Sequence, residues 1–423
     1  MSNDDDFMIV KGAAGTGKTS IMKAVADFLE TKSILFQLLA PTGRAAKNIA
    51  SKTNFPANTI HSSIYNVEAD TKSLIVRYSL KENQNENHQV FIVDESSMIS
   101  DRVNHQEMFK SPGSLLADFI KYFKKGNASC KVIFVGDACQ LPPVGYTLTE
   151  VSPALNALYL TSKYGFKGSE IELSKVMRQQ EGSSILKYAY QVRDCILNPT
   201  TGQLPSQIGQ FMGKPQNACK VYLSNYNAHK HDKVAILSYG NPYALECNKI
   251  IRSELGLQNT LTIGDKIVLN QNYYGSPTSF LSNGEVGVIK SVDRSRKMAG
   301  LTFVDAEIEF TNNINLPVLV RSKILLETLA CPEAITHEKK QELSAMAFKN
   351  NPTFRNSKNI WDDEYLSAMQ LSYGHAFTCH KAQGSEWDTI LLNSWSPNKD
   401  RRFLYTGITR ARKNLYTNGS HNY

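Results

Sequence analysis

Lys18 and Thr19 close the run Gly12-Ala13-Ala14-Gly15-Thr16-Gly17-Lys18-Thr19, whose spacing is G-x-x-x-x-G-K-[ST]. The glycines let backbone N–H groups turn toward a single point, and the N-terminus of a following helix adds a dipole that favours anions there. A lysine at this spacing reaches the β- and γ-phosphates of a nucleotide such as ATP, and the Thr19 hydroxyl is a ligand for Mg²⁺. A second pair, Asp94-Glu95, ends the apolar run Val90-Phe91-Ile92-Val93. Asp94 is expected to hold the magnesium ion, directly or through water. Glu95 is expected to orient and deprotonate an attacking water, since a glutamate of ordinary pKa, about 4.3, is ionised at neutral pH. Asp-Glu at a strand end is unspecific alone and specific behind such a loop.

These groups need a scaffold, and the sequence supplies one. Phe7-Met8-Ile9-Val10 reads as a strand, and Ile21, Met22, Val25, Phe28 and Leu29 recur at helical spacing. Strand, glycine loop and helix follow in the required order. Val90 to Val93 is apolar throughout, as buried parallel strands are, and sites on such sheets lie at the carboxyl ends of the strands. Val132-Ile133-Phe134-Val135 repeats the pattern and delivers Gly136-Asp137-Ala138-Cys139-Gln140-Leu141-Pro142-Pro143. Ile34 to Ala40 is another buried strand, running into Pro41-Thr42-Gly43-Arg44-Ala45-Ala46; Thr59-Ile60-His61-Ser62 follows. Leu74 to Leu80, with the polar stretch Lys81 to His88, reads as an exposed hairpin, placed at about residues 65–88. Arg178 is a candidate phosphate contact; a solvated surface arginine is the ordinary alternative.

Further along, residues 196–233 read as irregular, Val234 to Ser238 as a strand and Ala244 to Leu255 as a helix. From Leu261 to about Leu326 the pattern turns all-β. Lys266–Leu269, Val286–Ile289, Leu301–Val304, Glu307–Phe310 and Val318–Val320 are short strand candidates, with Ser282-Asn283-Gly284-Glu285 as a turn. Residues 332–365 read as partly helical, then irregular.

A chain of 423 residues, 41% hydrophobic and 20% charged, suits a soluble protein of two to four domains. No apolar run nears the ~20 residues that span a membrane. The acidic start Met1 to Asp6 has no secretory core, and the seven scattered cysteines contain no C-x-x-C pair, so a cytoplasmic protein with reduced thiols is expected. The net charge of +8 is compatible with a polyanion partner and unspecific by itself.

The ordered set GAAGTGKT, APTGRAA, TIHS, VDESS, GDACQLPP and VMRQ resembles superfamily 1 helicases of class B, the RecD-like, Dda-like and Pif-like enzymes. Leu371 to Trp387, with His375 to Gln383 at its centre, resembles the family's fifth motif, and Tyr405-Thr406-Gly407-Ile408-Thr409-Arg410-Ala411-Arg412 its sixth; together the motifs span residues 7–416. The resemblance implies an α/β fold of two RecA-like P-loop motor domains. A β-hairpin is inserted in the first, and a small Src-homology-3-like β-barrel in the second. The expected division is 1–190 for the first motor domain, 191–261 and 366–423 for the second, and 262–365 for the inserted barrel with a partly helical extension.

The resemblance further implies an ATP-dependent DNA helicase that uses Mg²⁺, moves 5′→3′ on single-stranded DNA and opens tailed duplex DNA; RNA is the other strand to consider. Gly12, Ala14, Gly15, Thr16, Gly17, Lys18, Thr19, Ser20, Asp94, Gln140, Arg178, Gly384, Glu386 and Arg410 would bind the nucleotide. Thr19 and Asp94 would hold magnesium, and Lys18, Glu95, Gln140, Arg178 and Arg410 would be catalytic, with Arg410 as an arginine finger. Pro41, Thr42, Arg44, Thr59, His61, Ser62, Thr378 and His380 would line the DNA track. Trp387, Phe377 and Tyr373 could stack on bases, although core packing is the commoner fate of aromatics.

One departure stands out. Relatives carry a base-reading glutamine segment upstream of the first strand, and the eleven residues before Gly12 do not resemble it. A longer N-terminus, another segment of the chain that holds the base, or a protein partner that supplies the missing segment is therefore expected. Two other readings remain: an ATPase that remodels protein–DNA complexes or drives a larger assembly without processive unwinding, and a nucleotide-gated binding module without turnover.

Overall fold

The computed structural model describes residues 4–418 except 71–74, 84–86, 104–108, 111, 127–128, 148, 176–183, 228–232, 258–259, 276–280, 312–315 and 332–334. Strands are numbered along the chain: β1 Phe7–Gly12, β2 Leu35–Ala40, β3 Ala57–Thr59, β4 Tyr65–Asp70, β5 Ile75–Leu80, β6 Gln89–Val93, β7 Phe109–Lys110, β8 Lys131–Gly136 and β9 Gly168–Leu173. The first sheet has the order β3-β2-β6-β8-β1-β9 and is parallel throughout. Neighbours β6, β8 and β1 therefore present Asp94-Glu95, the Gly136–Pro143 loop and the glycine loop side by side at their carboxyl ends, where parallel sheets place ligand sites.

The sheet is held from both faces. Phe91 and Val93 of β6 point into one core with Phe119, Phe123 and Phe134, while Val90 and Ile92 face Met22, Leu29 and Ile49 of two helices. This alternation in a continuous apolar strand is what burial on both faces requires.

After the helix Ser184–Leu197, the second sheet collects β10 Gln210–Phe211 and β11 Val234–Ser238. The barrel strands come next: β12 Lys266–Leu269, β13 Val286–Met298, β14 Leu301–Thr311, β15 Pro317–Leu325 and β16 Met369–Tyr373. The chain then returns with β17 Ala376–Thr378, β18 Trp387–Leu392 and β19 Ala411–Thr417. The second sheet has the order β10-β19-β18-β11-β17, again parallel. β12 to β16 close into a five-stranded barrel. The helices His337–Asn350 and Pro352–Ser357 tie the barrel to the first domain. Leu343 packs with Leu301 and Phe303, while Ala347 and Phe354 join the first domain's core.

Several expectations are corrected. The partner of β5 in the hairpin is β4, which precedes it, and not the polar stretch after it, part of which lies outside the described residues. The candidates Leu301–Val304 and Glu307–Phe310 form one strand, because β15 pairs with it without a break and carries the polar Asp305 through opposite Lys323, while the register against β13 shifts there. Leu371, read with the second motor domain, lies in β16 and closes the barrel against β12 and β15. Within the stretch read as irregular, Pro215–Asn225 is a helix with proline in its first turn, packed through Ala218, Cys219 and Tyr222. The boundary drawn after residue 190 falls inside the helix Ser184–Leu197, whose Ile185, Ala189 and Val192 pack in the second domain's core.

Candidate active site between the two sheets

Gly17 caps the helix Lys18–Thr31 with φ +86°, a left-handed geometry that glycine adopts without strain. The helix thereby begins at Lys18, and its free N–H groups face a cavity of about 300 Å³. Ala14, Gly15, Gly17, Lys18, Thr19, Ser20, Asp94, Glu95 and Gln140 line it from the first domain, and Gly384, Glu386 and Arg410 from the second. Gly12 and Thr16 form the back of the loop, where Thr16 Oγ1 donates to Ala13 O at 2.9 Å. Arg178 lies outside the described residues.

Lys18 Nζ donates to Gly12 O at 2.8 Å and to Ala13 O at 3.0 Å, so the ammonium is folded over its own loop. Glu95 has φ +49°, a left-handed backbone that costs a non-glycine residue about 1–2 kcal/mol. A left-handed residue here turns the chain sharply out of β6 into the short 3₁₀ turn Ser96–Met98. Arg410 lies 4.0 Å from Glu95 Oε1, almost fully buried, and is steadied by donation to Thr406 O at 3.1 Å and Ser385 O at 3.3 Å.

Burial, with the Glu95 carboxylate beside it, pushes Asp94 up to about 7. A divalent cation would relieve that cost, and the donor set fits one. Thr19 and Asp94 line the same cavity, and a hydroxyl with one carboxylate leaves the remaining positions to phosphate and water, as magnesium prefers. The buried Gln140 Oε1 has no hydrogen-bond partner among the described residues, so an acceptor lies open at the cavity wall.

Asn48, Lys52 and Thr409 also line the cavity and were missed from the sequence. Asn48 and Lys52 stand one turn apart on the helix Gly43–Thr53, a spacing that was legible. Lys52 approaches Glu386 at 3.9 Å, and Asn48 donates to Gly384 O at 3.5 Å.

A second hollow of about 580 Å³ runs along the first domain and the barrel. Pro41, Thr42, Thr59 and His61 line it, facing Asn270, Asn272 and Asn283 of the barrel side. His61 packs against Tyr65 and Tyr78, and burial lowers it to about 4. Ser62 turns inward instead, and its N–H and hydroxyl bind Thr59. Thr378 lies apart in a smaller recess with Lys381 and Asn241, and His380 lines neither hollow, its pKa lowered by burial. Arg44, expected on the DNA track, lies over Trp387 and Phe377 of the second domain. Those two aromatics are core residues, and Tyr373 carries Arg252 on its face, so none of the three is a free base platform.

Residues 1–195 match the AAA domain family, and residues 373–417 match the UvrD-like helicase C-terminal domain family. An ATP-dependent RecD2 DNA helicase from Deinococcus radiodurans is 24% identical over 98% of this chain and 47% of its own length. The ATP-dependent DNA helicase dda of Enterobacteria phage T4 is 24% identical over 96% of this chain and 93% of its own. Together these matches support a helicase of the superfamily 1, class B type. Among solved structures, a Pif1 helicase from work on unwinding at forked double-stranded DNA superposes with TM-score 0.55 at 16% identity, over 99% of this chain and 89% of that one. Bacteroides Pif1 in complex with ADP-AlF3 and single-stranded DNA gives 0.50 at 15% identity, over 99% and 90%. The structural likeness is one of fold, and it supports a RecA-like α/β architecture for this chain. The chain spans about half, or less, of the length of the first two curated relatives it matches.

Proposed function

We propose that the chain is an ATP-dependent DNA helicase that translocates 5′→3′ on single-stranded DNA and separates the strands of tailed duplexes. The observation that carries this is the single cavity lined by Lys18, Thr19, Asp94, Glu95 and Gln140 of one sheet and Gly384, Glu386 and Arg410 of the other. Hydrolysis there depends on how the two sheets sit, so each turnover moves one domain against the other.

In this reading the loop N–H groups and Lys18 hold the phosphates, Lys18 leaving the Gly12 and Ala13 carbonyls when they arrive. Magnesium held by Thr19 and Asp94 supplies charge neutralisation for the phosphates. Glu95 takes a proton from water, Gln140 positions that water, and Arg410 turns from Glu95 toward the developing charge. Fingers of this kind contribute about 10³–10⁵ in rate on related chemistry. Arg178 is the second cation of the proposal. The groove of Pro41, Thr42, Thr59 and His61 takes the strand by contacts that do not read sequence, with Thr378 continuing it on the second domain. The five-stranded barrel is read as the family's Src-homology-3-like module, and β4–β5 as its strand-separating hairpin. Among the described residues no helix is long and apolar enough to cross a membrane; a cytoplasmic site of action belongs to the proposal.

The test is ATP hydrolysis with and without single-stranded DNA, followed by unwinding of duplexes with a 5′ or a 3′ tail. Strong stimulation that Lys18→Ala abolishes, with preference for the 5′ tail, is the expected result. Preference for the 3′ tail overturns the polarity. Vigorous ATPase without unwinding of either duplex leaves a motor that is not a helicase.

A further inference from the structure

The loop that carries Gln140 is gripped from across the cleft. Leu141 N–H donates to Thr406 Oγ1 at 2.9 Å, Arg402 donates to Ala138 O at 2.9 Å, and Gln383 Nε2 donates to Leu141 O at 3.1 Å. Cys139 and Leu141 are buried in the second domain's core. Between this loop and the glycine loop stands Tyr405, on the helix Arg401–Ile408 that leads to Arg410.

The Tyr405 hydroxyl donates to Asp137 Oδ2 at 2.6 Å and accepts the Ala14 N–H at 3.1 Å. Asp137 also accepts from Arg193 at 3.0 Å and from the Cys139 N–H at 3.1 Å. Arg193 continues to Glu172 at 2.7 Å. Tyr190 donates to Ala14 O at 3.3 Å. Both backbone polar groups of Ala14, in the middle of the phosphate loop, are thus held by tyrosines on helices of the second domain's core.

We propose that the Tyr405 hydroxyl is a positioning group that latches the phosphate loop to Asp137 when the cleft is closed, and so makes turnover depend on closure. The inference rests on the ATPase reading above. The hydroxyl meets Ala14 and Asp137 only when the domains are together. When they part, Asp137 keeps the Cys139 N–H of its own loop, and the freed carboxylate oxygen and the Ala14 N–H meet water, so the open state loses little. When they close, a buried carboxylate oxygen and a loop N–H both need the hydroxyl, and leaving either without it carries a desolvation cost. Burial and the Asp137 carboxylate hold Tyr405 well above the usual phenol range, so the donor keeps its proton. The latch therefore acts on the step after nucleotide capture.

Tyr405→Phe removes the oxygen and keeps the packed ring. With saturating single-stranded DNA, kcat should fall about tenfold, the dissociation constant of a fluorescent ADP should stay within about twofold, and the thermal midpoint should move little. Asp137→Asn combined with Tyr405→Phe should cost less than the sum of the two, since both break one link. Closure is read without turnover by energy transfer between dyes at Leu158→Cys and Phe211→Cys in a Cys331→Ser background. Leu158 and Phe211 are exposed on separate domains, and Cys331 is the exposed native thiol. Tyr405→Phe should lower the closed fraction with ADP bound. An unchanged closed fraction overturns the latch. So does a fall in kcat matched by equal losses of ADP affinity and stability. A wild-type chain that binds ADP without hydrolysing ATP sinks the motor reading alone, because the closed fraction still decides the latch.

Discussion

The Arg44 guanidinium sits 4.7 Å from the centre of the Trp387 ring, so a first-domain residue is stacked on the core of the second. Burial lowers its pKa to about 10, which leaves it charged at neutral pH. A stacked cation of this kind contributes about 0.5–2 kcal/mol. Arg44→Ala should therefore lower kcat by roughly 2–30-fold. The slope of DNA affinity against salt should not change. A phosphate contact would instead reduce that slope by about one, and a salt titration of both proteins separates the two roles.

Glu95→Gln keeps the size of the side chain and removes the proton acceptor. Single-turnover hydrolysis should fall by about 10²–10⁴ while ADP binding is retained. A near-normal rate would assign the base elsewhere.

Gly384 has φ +77°, and a Cβ there would meet the Ala45 Cβ at 2.8 Å. Gly384→Ala therefore strains the backbone and wedges the helix Gly43–Thr53 away from the fifth-motif loop. A cost of about 1–3 kcal/mol is expected, visible as a lower thermal midpoint and a weaker ATPase together.

His61 predicts a pH dependence. Its folded-state pKa, about 4, lies below the ordinary 6.5, so the unfolded chain takes up the proton first. Stability is complete above pH 6.5 and declines as the pH falls from 6.5 toward 4. Part of the ring remains open to the groove, which holds the effect to about 1 kcal/mol. Urea unfolding of His61→Gln should show a flatter profile across that window.

The strands that deliver the site were legible because each is a short apolar run that ends abruptly in polar groups: β1 before the glycine loop, β6 before Asp94, β8 before the Gln140 loop. What escaped was set by partners distant in sequence. Met369–Tyr373 looks like any buried strand, and only its pairing with β12 and β15 assigns it to the barrel. Arg44 sits in a motif that suggests phosphate, and only the approach of Trp387 shows where its charge rests. Pro215–Asn225 was hidden by its polar composition, although proline followed by Ala218, Cys219 and Tyr222 already carried a helical signal. Tyr405 and Asp137 belong to motifs read for other residues, and no spacing rule joins positions that meet only across a cleft.

The barrel's place in the chain sets an order of assembly. The first sheet has all its strands once Leu173 has been made, and the barrel is complete only at Tyr373. β11 must then wait for β17 and β18, and β10 pairs with β19 near Tyr416. Domains fold as units from the N-terminus during synthesis, so a nascent chain presents the phosphate loop and Glu95 long before Arg410 leaves the ribosome. In the proposed reading, the growing protein would hold a nucleotide before it carries Arg410, and the turn just ahead of the last strand, Ala411–Thr417, would complete the site.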